Sequence, residues 1–183
     1  RHRLNQGCHA LNEQDLIRSL NWFYSLEIEQ MDLYNTQARA AGDLYLQQVL
    51  TRVAEIEQKH VINLEAELKR RGATPTRLGT IIAPILGIAA GTILNWTSTR
   101  TVLWANITLE EKAMADYKGL ILKVGEKPLF DLLWSHLIDE DLHTAWFSNK
   151  LKELDRLAAF RSRKHSSRPG RIIRKPGRQS ETR

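Results

Sequence analysis

The chain has 183 residues, 42% of them hydrophobic, which suits one domain with a single buried core plus tails. Its formal charge of +6 does not describe the body: of 27 Lys/Arg and 21 Asp/Glu, nine basic residues and one Glu lie from Arg161 onward, so residues 1–160 are nearly neutral. Cys8 is the only cysteine, which excludes an intrachain disulfide and every Cys-rich metal site and fits a reducing compartment.

Arg1 to Asn12 carries basic residues with no apolar stretch behind them, so residues 1–12 read as an N-terminal extension without a secretory signal. From about Glu13 to Ala41, Leu16, Leu20, Phe23, Glu27, Met31 and Tyr34 recur at steps of three and four, which predicts a helix with Asn12 as its N-cap. A second helix, roughly Asp43 to Arg71, aligns Leu46, Leu50, Val53, Glu57, His60 and Leu64 and stops at Gly72 before Pro75. The connector from Leu78 to Thr99 has no charged residue and is long enough to span a bilayer. Pro84, Gly79, Gly87 and Gly91, with Asn95, Thr97, Ser98 and Thr99 at one end, argue against a continuous lipid-facing helix. It is expected to be an apolar crossover along a bundle, with contact to a membrane surface through Trp96 and Trp104 as the alternative. A third helix, about Thr101 to Val124, lines up Leu103, Ile107, Glu110, Met114, Tyr117 and Ile121 and is expected to end at Gly125. The fourth, about Pro128 to Phe160, aligns Leu133, Leu137, Glu140, His143, Phe147 and Leu151. The bundle therefore occupies 13–160, and 161–183 reads as a disordered basic tail that either solubilises the chain or binds anionic surfaces through charge alone.

Each of the four helices directs a glutamate inward. Glu57-Gln58-Lys59-His60 and Glu140-Asp141-Leu142-His143 are two Glu-x-x-His tetrads, and Glu27 and Glu110 each precede the tetrad glutamate by 30 positions. Tyr34 and Tyr117 follow Glu27 and Glu110 by seven, so an internal repeat of about 83 residues links the two halves. Four carboxylates among Leu, Ile and Phe cost several kcal/mol per ion unless compensated, and two divalent cations supply that compensation. Positions i and i+3 share a helix face, so each Glu and His can grip one side of a metal pair. One Glu from each of two helices and a Glu-x-x-His from each of the others is the ligand scheme of ferritin-like di-iron or di-manganese bundles. The expected fold is thus all-α, a ferritin-like four-helix bundle of two helical hairpins with a long apolar crossover between the second and third helices. Glu27, Glu57 and His60 are expected at one metal and Glu110, Glu140 and His143 at the other. Iron is the first expectation and manganese the alternative, with coordination positions open for dioxygen or peroxide. Tyr34 and Tyr117 are expected either to hold ligand carboxylates by hydrogen bonds or take part in the oxidation chemistry, or to pack in the core. His136 is left out of the ligand set, and Glu29, Glu111, Asp139 and Asp141 are assigned to solvated faces.

The segments Glu27-Ile28-Glu29-Gln30-Met31-Asp32-Leu33-Tyr34, Glu57-Gln58-Lys59-His60, Ala73-Thr74-Pro75-Thr76, Leu86-Gly87-Ile88-Ala89-Ala90-Gly91-Thr92 and Glu110-Glu111 with Tyr117 resemble the demethoxyubiquinone hydroxylases. The resemblance runs from about Leu20 to Leu154. It implies an O2-activating di-iron monooxygenase acting on a quinone ring in ubiquinone biosynthesis, and it selects Glu110 over Glu111 as ligand. Where that family continues into a further apolar helix, this chain turns basic after Phe160. Rubrerythrins share the Glu-to-Tyr spacing more loosely, which makes a peroxide-scavenging or ferroxidase protein the alternative, although one cysteine cannot build their Cys-rich iron domain. A non-enzymatic iron-binding module is the third reading. The implied setting is cytoplasmic and peripheral to the inner membrane, with an electron donor of unspecified identity, a quinone substrate and a homodimer among the expected partners.

Overall fold

The computed structural model describes residues 11–87 and 98–166. Five helices follow in chain order: α1 Glu13–Ala40, α2 Leu44–Arg70, α3 Ile82–Ile85, α4 Thr99–Ile121 and α5 Lys127–Ser166. Asn12, Asp43 and Ser98 cap α1, α2 and α4, their side-chain oxygens accepting from Asp15 N–H, Leu46 N–H and Thr101 N–H. α2 ends at Gly72, whose φ of +70° places it in the left-handed region that glycine tolerates without a Cβ clash. Gly125 does not play that part for α4. That helix stops at Ile121, and the turn is closed by Lys123 N–H and Val124 N–H donating to Leu120 and Ile121 carbonyls.

α1 packs along α2 and α4 along α5, giving two antiparallel hairpins that meet as a four-helix bundle. Two apolar clusters fill its interior. One contains Leu16, Leu20, Phe23, Leu64, Leu68, Leu120, Leu129 and Leu133; the other contains Leu46, Leu50, Val53, Leu103 and Phe147. Each fully buried Leu or Phe stabilises the fold by roughly 1.5–3 kcal/mol. Glu27, Glu57, Glu110 and Glu140 fall between the clusters, so the sequence places a polar layer between two apolar ones. The helical hairpins and the start of the crossover agree with the expectation from periodicity.

The crossover begins on a ladder of α1 side chains. Asn21, Ser25 and Glu29, each four residues apart and so on one helix face, accept from Thr76 N–H at 2.7 Å, Leu78 N–H at 2.8 Å and Ile82 N–H at 2.9 Å. Glu29 also accepts from Ile81 N–H at 2.9 Å, so it is not on the solvated face assigned to it. Ile81 and Ile82 then enter the core, and α3 lies against α1 and α4. The rest of the apolar stretch, with Trp96, lies outside the described residues. Among those described, no helix is long and apolar enough to cross a membrane.

α5 runs through Ser166, past the Phe160 boundary. Arg161 to Ser166 contains no Gly or Pro, the first breaker being Pro169, and basic side chains suit a helix C-terminus. The tail expected beyond, and the extension over residues 1–10, lie outside the described residues.

Candidate metal centre

The six residues of the doubled pattern converge in the polar layer. α1 contributes Glu27, α2 Glu57 and His60, α4 Glu110, and α5 Glu140 and His143; all four glutamates are fully buried and both histidines nearly so. His60 Nδ1 lies 3.4 Å from Glu27 Oε2, 3.1 Å from Glu57 Oε2 and 3.3 Å from Glu140 Oε1. His143 Nδ1 lies 3.3 Å from Glu57 Oε1, 3.7 Å from Glu110 Oε1 and 3.8 Å from Glu140 Oε2. Glu57 and Glu140 therefore turn one oxygen toward each imidazole. Two four-residue donor sets result, Glu27/Glu57/His60/Glu140 and Glu57/Glu110/Glu140/His143, each with its ligand atoms within 4.8 Å of one another, and a three-residue group, Glu27/His60/His136, overlaps the first. The two sets share Glu57 and Glu140, which spacing along the chain does not reveal.

The tyrosines cross between hairpins. Tyr34 Oη on α1 donates to Glu110 Oε1 on α4, and Tyr117 Oη on α4 donates to Glu27 Oε1 on α1. Burial, together with the facing carboxylates, Glu110 for Tyr34 and Glu27 for Tyr117, pushes both phenols well above their usual value, so they stay protonated donors. Phe23 stacks on Tyr117 with ring centroids 4.0 Å apart and fixes its plane. Tyr34→Phe and Tyr117→Phe should keep the fold and weaken metal affinity about 10–100-fold, as read by competition with a chromophoric chelator. Unchanged affinity in both variants would contradict this role.

Two residues set aside on sequence belong to the site's surroundings. Asp139, 38% exposed in its side chain, accepts from His60 Nε2–H at 3.2 Å, so that when the ring is neutral, as a metal ligand must be, the Nδ1 lone pair faces the carboxylates. His136 is buried, its ring stacked on His60 at 3.9 Å. Its Nδ1 lies 3.1 Å from Tyr117 Oη and its Nε2 3.3 Å from Asn63 Nδ2. With Asn63 donating to Nε2 and Nδ1–H donating to Tyr117, one hydrogen-bond chain runs Asn63–His136–Tyr117–Glu27. Glu111 and Asp141 are exposed, as their neighbours' inward positions require.

Electrostatics mark the layer as incomplete without cations. Burial pushes Glu57 up, reinforced by Glu27, to about 7, and burial with Glu140 raises Glu110 well above the carboxylate range. Burial also pushes Glu27 up, but the charge and hydrogen bond of His60 bring it down to about 2. Burial opposes charge on His60 and His143, yet the surrounding carboxylates carry both well above the usual imidazole value. Burial and the charge on His60 hold His136 down to about 3.

These shifts fix the sign of a pH effect on metal-free protein. The folded chain keeps protons on Glu57 and Glu110 that the unfolded chain releases near 4.5, and on His60 and His143 that it releases near 6.5. Stability from Glu57 is full below pH 4.5 and is lost as pH rises through about 7; only His136 works oppositely between pH 5 and 8. The thermal midpoint of chelator-treated protein should be higher at pH 5 than at pH 8. A higher midpoint at pH 8 would contradict the burial of these protons.

Among the described residues, ten buried side-chain N and O atoms lack a hydrogen-bond partner, and nine of them belong to the six converging residues. The tenth is Gln30 Oε1. Buried polar groups are normally paired, and an orphan carries a desolvation penalty. Carboxylate oxygens with two imidazole nitrogens form a donor set for hard divalent cations such as Fe(II) and Mn(II), so the residues fit a metal pair.

No family profile and no curated protein matches the sequence. Solved structures do match in fold. The chain superposes on Mycobacterium tuberculosis bacterioferritin BfrA with a TM-score of 0.68 at 18% identity, covering 80% of this chain and 89% of that one. It superposes on Desulfovibrio desulfuricans bacterioferritin with a TM-score of 0.66 at 16% identity, covering 92% and 94%. The fold is the ferritin-like four-helix bundle expected from the ligand pattern, and its structural neighbours are bacterioferritins.

Proposed function

We propose that this protein holds two iron ions in the polar layer and acts as a ferroxidase-type oxidoreductase, in which Fe(II) is oxidised by dioxygen or peroxide. The observation that carries the proposal is the set of nine unpaired buried atoms, all on Glu27, Glu57, His60, Glu110, Glu140 and His143, residues that form two four-residue donor sets sharing two carboxylates. Glu27 and His60 would hold one iron, Glu110 and His143 the other, and Glu57 and Glu140 would bridge them. Four carboxylates balance the charge of two divalent cations. The bound pair supplies electrons to an oxygen-derived oxidant.

The chain's own residues keep that pair in place and manage its charge. Tyr34 and Tyr117 orient the terminal carboxylates, and Asp139 fixes the tautomer of His60. The Asn63–His136–Tyr117–Glu27 chain connects the buried carboxylate to α2 and α5 side chains and offers a route for a proton as charge on the site changes. The two apolar clusters exclude water above and below the layer. The bacterioferritin fold supports the reading, since the Desulfovibrio protein is described by a diiron site in different catalytic states. The hydroxylase resemblance supplies the second reading, a quinone-ring monooxygenase, through the same six residues.

The test is oxygen consumption by anaerobically purified protein supplied with Fe(II) alone. O2 uptake in proportion to Fe(II), with no quinone present, is the expected result. Uptake that appears only with a quinone and yields a hydroxylated product would favour the monooxygenase, and two bound irons with neither activity would leave an iron-binding module.

A further inference from the structure

Between α1 and α4 lies an open groove of about 560 Å³ that none of the six converging residues lines. Phe23, Leu120, Trp22, Leu11 and Leu78 give it an apolar lining, and Arg18, Lys112 and Lys123 set three cations around it against one carboxylate, Asp116. That carboxylate is already engaged. It accepts from Trp22 Nε1–H at 3.0 Å and pairs with Lys112, whose Nζ lies 5.5 Å from the centre of the Trp22 ring. Arg18 pairs with Asp15. Among the described residues, the Lys123 side chain has no hydrogen-bond or ion-pair partner.

Two features separate this groove from an incidental gap between helices. Gly119 lines it from within α4, where a glycine costs roughly 0.5–1 kcal/mol relative to alanine. A Cβ at Gly119 would meet no described atom within 4 Å, and its φ is not positive, so neither close packing nor backbone geometry calls for glycine there. What the missing side chain does is leave the groove open. The repeat supplies the second feature. Phe23 and Leu120 correspond to Asn106 and Gln37, whose amides exchange two hydrogen bonds of 2.8 Å and tie α4 to α1. Arg18, Trp22, Lys112 and Lys123 correspond to Thr101, Ala105, Glu29 and Ala40. The apolar and cationic character is therefore confined to one of two equivalent junctions.

We infer that this groove binds a small amphipathic carboxylate, with its apolar body against Trp22, Phe23 and Leu120 and its anionic head at Lys123. Pockets of about 300–1,000 Å³ with apolar walls and a few polar groups are the usual size for small organic ligands. A cationic ligand would meet three like charges, and a neutral one would gain nothing from Lys123, whereas a carboxylate forms a charge-assisted hydrogen bond. The chain's own terminal segments have the wrong charge: residues 1–10 hold two Arg and no acid, and nine Lys/Arg against one Glu follow from Arg161. Residues 88–97 carry no charge at all. Phe23 stacks on Tyr117, so an aromatic layer stands between the groove and the glutamates, and the inference does not rest on the proposed metal pair.

The test compares decanoate, decanol and decyltrimethylammonium by titration calorimetry on the full chain, below the concentrations at which the probes aggregate. Decanoate should bind one molecule per chain, at least about tenfold more tightly than either of the others, and equally with chelator or with metal present. Lys123→Gln should bring decanoate down to the level of decanol. Gly119→Leu, which fills the groove, should remove binding of both while keeping or raising the thermal midpoint, because leucine is the better helix former. No binding of decanoate, equal binding of the three probes, or undiminished decanoate binding by Gly119→Leu would overturn the inference and leave the metal assignment standing. Decanoate binding that appears only with metal bound would place the carboxylate on the cations and would also overturn it.

Discussion

Glu57→Ala and Glu140→Ala each abolish two-metal occupancy, whereas Glu27→Ala and Glu110→Ala each leave one metal bound. The difference follows from geometry. Glu57 presents Oε2 to the His60 side and Oε1 to the His143 side, and Glu140 does the same with Oε1 and Oε2, so either residue serves both donor sets. Glu27 and Glu110 each serve one of these two four-residue sets. Losing a shared carboxylate removes a bond from each cation and also leaves two divalent charges with three carboxylates. Affinity should fall by more than the roughly 10–100-fold that loss of an outer hydrogen-bond partner costs. Metal analysis after gel filtration reads the result, and circular dichroism checks that helix content is kept. Two metals in Glu57→Ala, or none in Glu27→Ala, would contradict the shared arrangement.

Removing metal from the wild-type protein should lower its thermal midpoint by roughly 10–20 °C. Cations bind the folded layer and not the unfolded chain, so at a hundredfold excess over Kd each site contributes about 2.7 kcal/mol, and two contribute about 5 kcal/mol. For a chain of this size each kcal/mol moves the midpoint by roughly 2–4 °C. The metal-free layer keeps its shape only by retaining protons on Glu57 and Glu110 and charge on the histidines, which partly relieves carboxylate repulsion. Scanning calorimetry with and without Fe(II) or Mn(II), under anaerobic conditions, measures the shift. Identical midpoints would mean that the carboxylates do not share buried cations.

The fold and the six converging residues were legible because their signals are local. Period-3.6 stripes gave the four long helices, and a glutamate inside each stripe is visible as a charge where a leucine belongs. The repeat then tied the stripes together, since Glu27, Tyr34, Glu57 and His60 recur at Glu110, Tyr117, Glu140 and His143. What escaped depends on the rotation and height of one helix against another. Asp139 sits beside Glu140 and reads as a solvated charge until α5 is set against α2 and it meets His60, 79 residues away. His136 has Val53 at its repeat position, so the doubled pattern does not single it out. Glu29 looks like one more exposed acid on α1 and is instead the acceptor that seats the crossover. The sharing of Glu57 and Glu140 is likewise a matter of which helices lie closest across the layer.

Anomalous diffraction at the iron edge, from crystals grown anaerobically with Fe(II), tests the central claim most directly. Two peaks are predicted between the hairpins, one beside His60 Nδ1 and Glu27 and one beside His143 Nδ1 and Glu110, with Glu57 and Glu140 reaching both. A single peak elsewhere on the surface, or no iron in a layer whose carboxylates turn away from one another, would contradict it.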